Sequence, residues 1–155
     1  PPASVPRWVM PFVAFQVLFP LRALLTPGSS LWTEEGYRYA WHVMLAEKNG
    51  YVEVRVVDRE TGDKRMVKLS DYLTPLQEKQ MSVQPDMLLQ FAHMVRDEER
   101  LRGRDVAVHV RADVSLNGRP AAPLIDPRVD LARERDTLAP KRWILPLSDE
   151  VQPRF

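Results

Sequence analysis

Asp105-Val106-Ala107-Val108-His109-Val110-Arg111-Ala112-Asp113-Val114-Ser115-Leu116, followed by Asn117-Gly118, decides how this chain folds. Val106, Val108, Val110, Ala112, Val114 and Leu116 fall on one face of an extended strand. Ala107, His109, Arg111, Asp113 and Ser115 fall on the other. A period of two with one apolar face describes an antiparallel sheet covered on one side. Asn-Gly is the strongest short hairpin signal, because both residues tolerate positive φ. The return, Arg119 to Ile125, carries Pro120 and Pro123, so it is expected at an edge or irregular.

Upstream, Tyr51-Val52-Glu53-Val54-Arg55-Val56-Val57 alternates in the same way. A turn-rich tip, Asp58 to Asp63, leads to a second strand over 64–69, with Val67 and Leu69 facing in. Asp71-Tyr72-Leu73-Thr74-Pro75 is expected to be a short turn before a polar patch. Pro85 then starts a helix over about 85–101, with Met87, Leu88, Phe91, Ala92 and Val95 on one face and Gly103 as its stop. The expected class is α+β: an antiparallel sheet built from two hairpins, with packed helices and a preceding hydrophobic, membrane-proximal helix.

A second marked stretch is Trp32-Thr33-Glu34-Glu35-Gly36-Tyr37-Arg38-Tyr39-Ala40-Trp41. Four of these ten residues are aromatic, in a chain that is 8% aromatic overall. Thr33 suits an N-cap, Glu34 and Glu35 suit a first helical turn, and Asn49-Gly50 suits a stop, so a helix over about 33–48 is expected. Tyr37 and Trp41 then lie one turn apart. Spacing alone favours core packing, but each ring has a polar handle suited to a boundary between dry and wet surroundings.

The first segment, 1–27, is the least like a soluble protein. From Trp8 to Leu25 only Gln16 and Arg22 interrupt an apolar run, and Pro11 and Pro20 break it short of the roughly 20 residues of a membrane span. It reads as the end of a spanning or interfacial helix, in preference to a helix buried in the domain. An extracytoplasmic domain over 28–147 and a tail over 148–155 complete the division. The chain opens Pro1-Pro2 and is expected to be a piece of something longer.

Composition excludes several classes. The chain has 155 residues, net charge +1 and no cysteine, so neither a nucleic-acid field, a disulfide framework nor a thiolate nucleophile is expected. No phosphate loop, zinc-helix motif or nucleophile elbow occurs. His93 stands without a second ligand at metal spacing. Asp126, Arg128 and Asp130 form a compact cluster in which turn capping outweighs acid–base chemistry. No residue is assigned a catalytic or metal-binding role.

Several of these stretches together resemble the vitamin K-dependent gamma-glutamyl carboxylase family. They are Phe19-Pro20 with Leu24-Leu25-Thr26 and Gly28, Trp32-Thr33, Tyr37-x-Tyr39-x-Trp41-x-x-Met44, and Asp86-Met87-Leu88. Val114-Ser115-Leu116-Asn117-Gly118-Arg119 and Ile125-Asp126-Pro127-Arg128-Val129-Asp130-Leu131 follow in the family's order, and Trp143 and Pro146-Leu147 extend the match. The resemblance is to the end of the last membrane helix and the extracytoplasmic domain behind it. It implies a lyase-type membrane enzyme that couples oxidation of reduced vitamin K to carboxylation of a peptide glutamate. The family's catalytic lysine lies upstream and has no counterpart here, so the resemblance implies a segment inactive alone that binds no cofactor itself.

Carried over, Trp32, Tyr37, Tyr39 and Trp41 are candidates for placing the glutamate, since aromatic walls keep water from a carbanion. The implied partners are the membrane, the protein's own upstream transmembrane bundle and a glutamate-containing peptide. Gly36, Ala40 and Ala46 stand where the animal enzymes carry leucine, serine and histidine, and the lack of cysteine points to a bacterial member. The alternative is a non-catalytic protein- or peptide-binding module of a membrane protein.

Overall fold

Two long strands, β1 (Lys48–Asp58) and β3 (Val106–Leu116), pair antiparallel along their whole length, from Lys48 opposite Leu116 to Asp58 opposite Val106. They appear in a computed structural model that describes residues 6–21, 29–35, 46–137 and 139–147. The short strands β2 (Lys64–Met66) and β4 (Ala122–Pro123) flank them, giving the order β2-β1-β3-β4, antiparallel throughout. The α+β class stands.

The alternation in the sequence sets the layers. Val52, Val54 and Val56 of β1 are buried with Val106, Val108, Val110, Ala112, Val114 and Leu116 of β3. Helix α4 (Pro85–Leu101) lays Leu88, Leu89, Phe91, Ala92 and Val95 onto the core. Its limits are those expected from Pro85 and Gly103, the latter at φ +76°. At the hairpin after β3, Asn117 and Gly118 take φ +51° and +76°, which few other residue pairs tolerate.

Three expectations are corrected. The second strand, expected over 64–69, ends at Met66. Val67 still donates its N–H to the Val54 carbonyl at 2.8 Å, and Leu69 opens a 3₁₀ turn (Leu69–Asp71). Where a turn and polar patch were expected, helix α3 (Pro75–Met81) forms. Thr74 and Gln77 make a reciprocal capping box and Pro75 occupies the first turn, so this short helix is well started.

The helix expected over 33–48 is contradicted at both described ends, while 36–45 lie outside the described residues. Helix α2 is only Ser30–Thr33. Thr33 closes it, and Glu34 follows at φ +59°. Lys48, Asn49 and Gly50 belong to β1. Gly50 is there because a Cβ would lie 2.9 Å from the Ser82 carbonyl oxygen and 3.0 Å from Val83 Cγ1, so the α3–α4 turn presses on the strand.

The C-terminal arm docks on the sheet. Asp126 N–H donates to the Trp143 carbonyl and Leu145 N–H to the Leu124 carbonyl, both at 2.9 Å, around a bridge between Ile125 and Ile144. The chain after β4 is therefore covered on its outer side.

Helix α1 (Val9–Leu18) is apolar at every position but Gln16, and none of its residues is buried. Trp8, Phe12 and Phe15 are each more than half exposed. A helix buried in this domain is thus not what the described residues form. Among them, no helix is long and apolar enough to cross a membrane.

Candidate functional site

Trp32 ties α2, where the aromatic stretch begins, to the rest of the chain. Its side chain is buried, and the indole Nε1–H donates to the Leu145 carbonyl at 2.8 Å, so α2 is held against the C-terminal arm. Glu35 accepts the Lys141 backbone N–H at 2.6 Å, adding a second tie to the same arm. Lys141 in turn sends Nζ to within 3.2 Å of Asp86 Oδ1 at the start of α4.

Lys48, the first residue of β1, is the third fastening. Its side chain is 6% exposed, and Nζ donates to the Trp32 carbonyl and to Glu34 Oε1, each at 2.9 Å. Burial pulls its pKa down and the Glu34 carboxylate opposes that pull, which leaves the ammonium below the usual lysine range. Nearby, the Glu47 backbone bonds Asn117 twice, N–H to Oδ1 at 2.7 Å and carbonyl to N–H at 2.8 Å. The chain therefore leaves the described residues at Glu35 and returns at Ala46 between fixed ends.

Beside these fastenings lies a cavity of about 660 Å³. Leu31, Trp32, Ile144 and Leu147 give it apolar walls, while Arg119 and Arg142 supply exposed cationic groups. Such a space suits an apolar chain carrying an anion. Of the four residues singled out from the sequence, Trp32 lines this cavity with its N–H already committed. Tyr37, Tyr39 and Trp41 lie outside the described residues.

Asp126, Arg128 and Asp130 have structural partners. Asp126 accepts Arg128 Nη2 at 2.8 Å, and both Nε and the backbone N–H at 3.0 Å. These bonds, the side-chain ones first, pull its pKa down to about 2. Asp130 Oδ1 accepts Val108 N–H at 2.8 Å and Ala132 N–H at 3.1 Å, and Oδ2 pairs with Arg59. Asp130 thus satisfies the open edge of β3 beyond β4. His93 Nε2 donates to the Glu134 carbonyl at 2.9 Å, joining α4 to the same run. Among the described residues, no three acidic or histidine side chains are grouped to hold a metal ion.

Lys48, Glu35 and Lys141 were not singled out from sequence. Each owes its place to a partner 14 or more residues away, and no local pattern marks that. Thr74-Pro75-Leu76-Gln77, by contrast, is a legible cap signal that the turn reading passed over.

No solved structure matches the chain. A family profile described as "Vitamin K-dependent gamma-carboxylase, lumenal domain" matches residues 4–150. A lumenal domain is the extracytoplasmic part of a membrane protein. With nearly its whole length matched, including the aromatic stretch, the sheet and the docked arm, the chain belongs to the vitamin K-dependent gamma-carboxylase lumenal-domain family.

Proposed function

We infer that this chain holds a glutamate-bearing peptide on the extracytoplasmic side for carboxylation coupled to vitamin K epoxidation, and is inactive alone. The membrane part of the parent protein supplies the chemistry and is the chain's principal partner. The observation that carries this reading is the cavity beside Trp32, which pairs apolar walls with the guanidinium groups of Arg119 and Arg142. An arginine rim attracts a glutamate carboxylate, and the walls take up its apolar neighbours in the peptide.

Trp32 would act from behind the cavity, as a fixed wall. Glu35 lines the same cavity, and Tyr37 follows it by two residues in the sequence, which keeps Tyr37, Tyr39 and Trp41 as candidates for substrate contact. Reduced vitamin K is a poor match for this site. A hydroquinone with an isoprenoid tail needs a long apolar sleeve, and these walls carry Glu35, Arg119, Lys141 and Arg142. The quinone is assigned to the parent protein's membrane part.

The test is binding of a labelled peptide, Glu flanked by Leu and Phe, to the full-length protein in a membrane scaffold. Arg119→Glu with Arg142→Glu should weaken binding at least about tenfold, the loss expected when charge-assisted bonds are replaced by repulsion. The peptide with Gln for Glu should bind equally weakly to both forms. Equal binding of the Glu and Gln peptides would remove the glutamate reading and leave the non-catalytic peptide-binding module. Incubated with glutamyl peptide, reduced vitamin K, oxygen and labelled bicarbonate, the isolated chain should incorporate no label.

A further inference from the structure

At the far end of the sheet, roughly 30 Å along β1 and β3 from Lys48, four arginines from three elements converge on one concavity. It holds about 380 Å³, and its lining is Arg59, Arg96, Arg100, Arg133, Asp105 and the backbone neighbourhood of Val106 and Ala132. Arg96 and Arg100 stand one turn apart on α4, Arg59 follows β1, and Arg133 follows the Asp130 edge plug.

Gathering four guanidinium groups costs repulsion that the local carboxylates only partly offset. Asp130 pairs with Arg59 and lies 3.8 Å from Arg133 Nε, Asp97 accepts from Arg96 Nε at 2.8 Å, and Asp105 Oδ1 lies 3.4 Å from Arg59 Nε. Four cations against three carboxylates leave an excess positive charge. Donors are also left over. Arg59 Nε is buried and makes no hydrogen bond, its contact with Asp105 being an ion pair only. The Arg100 guanidinium makes neither a hydrogen bond nor a close ion pair among the described residues. Buried donors without acceptors are uncommon, and this one belongs to a side chain that lines a concavity with surplus charge.

We propose that this concavity is a binding site for a phosphate-type oxyanion, separate from the cavity beside Trp32. A carboxylate is planar and is satisfied by one guanidinium fork. Donors arriving from α4, from the end of β1 and from the turn after Asp130 suit a tetrahedral group with acceptor oxygens in several directions. Arg96 already donates Nη1 to the Ala132 carbonyl at 2.8 Å, which holds two walls of the site in place before a ligand arrives. Asp105, 70% exposed at its side chain, opposes the anion and moderates its affinity.

The experiment is a titration of inorganic phosphate at constant ionic strength, read by melting temperature and by chemical shifts of arginine Nε–H groups. Phosphate should raise the melting temperature saturably, as a ligand selective for the folded state does, and shift the Arg59 Nε–H signal. Chloride at the same ionic strength should do neither. Arg100→Gln with Arg133→Gln, both at exposed positions, should weaken phosphate at least about tenfold. Asp105→Asn should tighten it several-fold while leaving the fold unchanged.

Sedimentation with phosphatidylglycerol vesicles separates a lipid headgroup from free phosphate. Vesicle binding abolished by the arginine pair assigns the phosphate to lipid, and its absence beside a saturable response to free phosphate assigns a soluble ligand. The site is refuted if phosphate gives no saturable response, or if the arginine pair and Asp105→Asn respond as the parent does.

Discussion

Replacing Trp32 by Phe separates anchoring from bulk. The substitution removes one hydrogen bond, Nε1–H to the Leu145 carbonyl at 2.8 Å, and part of a buried ring. The bond is worth about 1 kcal/mol net. Roughly 50 Å² of lost apolar contact adds about 1.2 kcal/mol at 25 cal/mol per Å². The sum is about 2 kcal/mol, equivalent to a fall of roughly 4–8 °C in melting temperature for a domain of this size.

Trp143→Phe provides the control. Trp143 is also buried, but its indole N–H makes no hydrogen bond among the described residues, so only the area loss applies, about half the effect. Urea unfolding of both variants against the parent measures the difference. Equal costs for the two, or a Trp32→Phe protein as stable as the parent, would refute the view that Trp32 fastens α2 to the arm.

Three further substitutions probe the frame. Gly50→Ala drives a Cβ to 2.9 Å from a backbone oxygen that cannot rotate away, and should cost about 1–3 kcal/mol in urea unfolding. Glu99, with its side chain 2% exposed, meets Arg65 at 2.5 Å, Arg104 at 2.7 Å and Arg102 at 2.8 Å. Burial pushes its pKa up, but the arginines outweigh that and hold it below the usual value. Glu99→Gln should therefore cost about 3 kcal/mol, the low end for a broken buried pair because the half-exposed arginines regain water; an unchanged denaturation midpoint would contradict this.

Asp126 should titrate near 2 by carboxyl NMR, against the usual 3.8. Because its folded pKa is depressed, its contribution to stability is present above the unfolded value and is lost as pH falls from about 4 to about 2. Arg128→Ala should return the midpoint toward 3.8, and an unchanged midpoint would contradict the assignment of cause.

Much of this frame was legible because it is periodic. β3 and α4 announce themselves by spacing, since a strand or helix that covers one face of a core must repeat its apolar residues at its own period. Gly50 misled for a physical reason. Glycine stops helices, but it also stands where another backbone comes close, and the Ser82 carbonyl that demands it is 32 residues away. Lys48 falls at the end of the expected 33–48 helix and instead opens β1, buried because the Trp32 carbonyl and Glu34 satisfy its ammonium. Asp130 sits in a legible motif, yet its task as a plug for the β3 edge depends on Val108, which only the fold brings near.

Of the residues marked in the sequence for the candidate site, the described ones hold only Trp32. The aromatic stretch and the Trp143 to Leu147 arm were both marked in the sequence, and the structure joins Trp32, where that stretch begins, to the arm at Leu145. The arginines were not, because Arg119 and Arg142 border one cavity only when the arm docks beside the β3–β4 turn.

The most direct test of the peptide-holding role is a cross-link map. A glutamyl peptide carrying a diazirine beside its Glu would be irradiated on the full-length membrane-embedded protein, and the labelled residues located by mass spectrometry. Label is expected on Leu31, Arg119 and the 142–147 arm, competed by unlabelled Glu peptide and lost with Arg119→Glu and Arg142→Glu. Competable label confined to surfaces away from this cavity would contradict it.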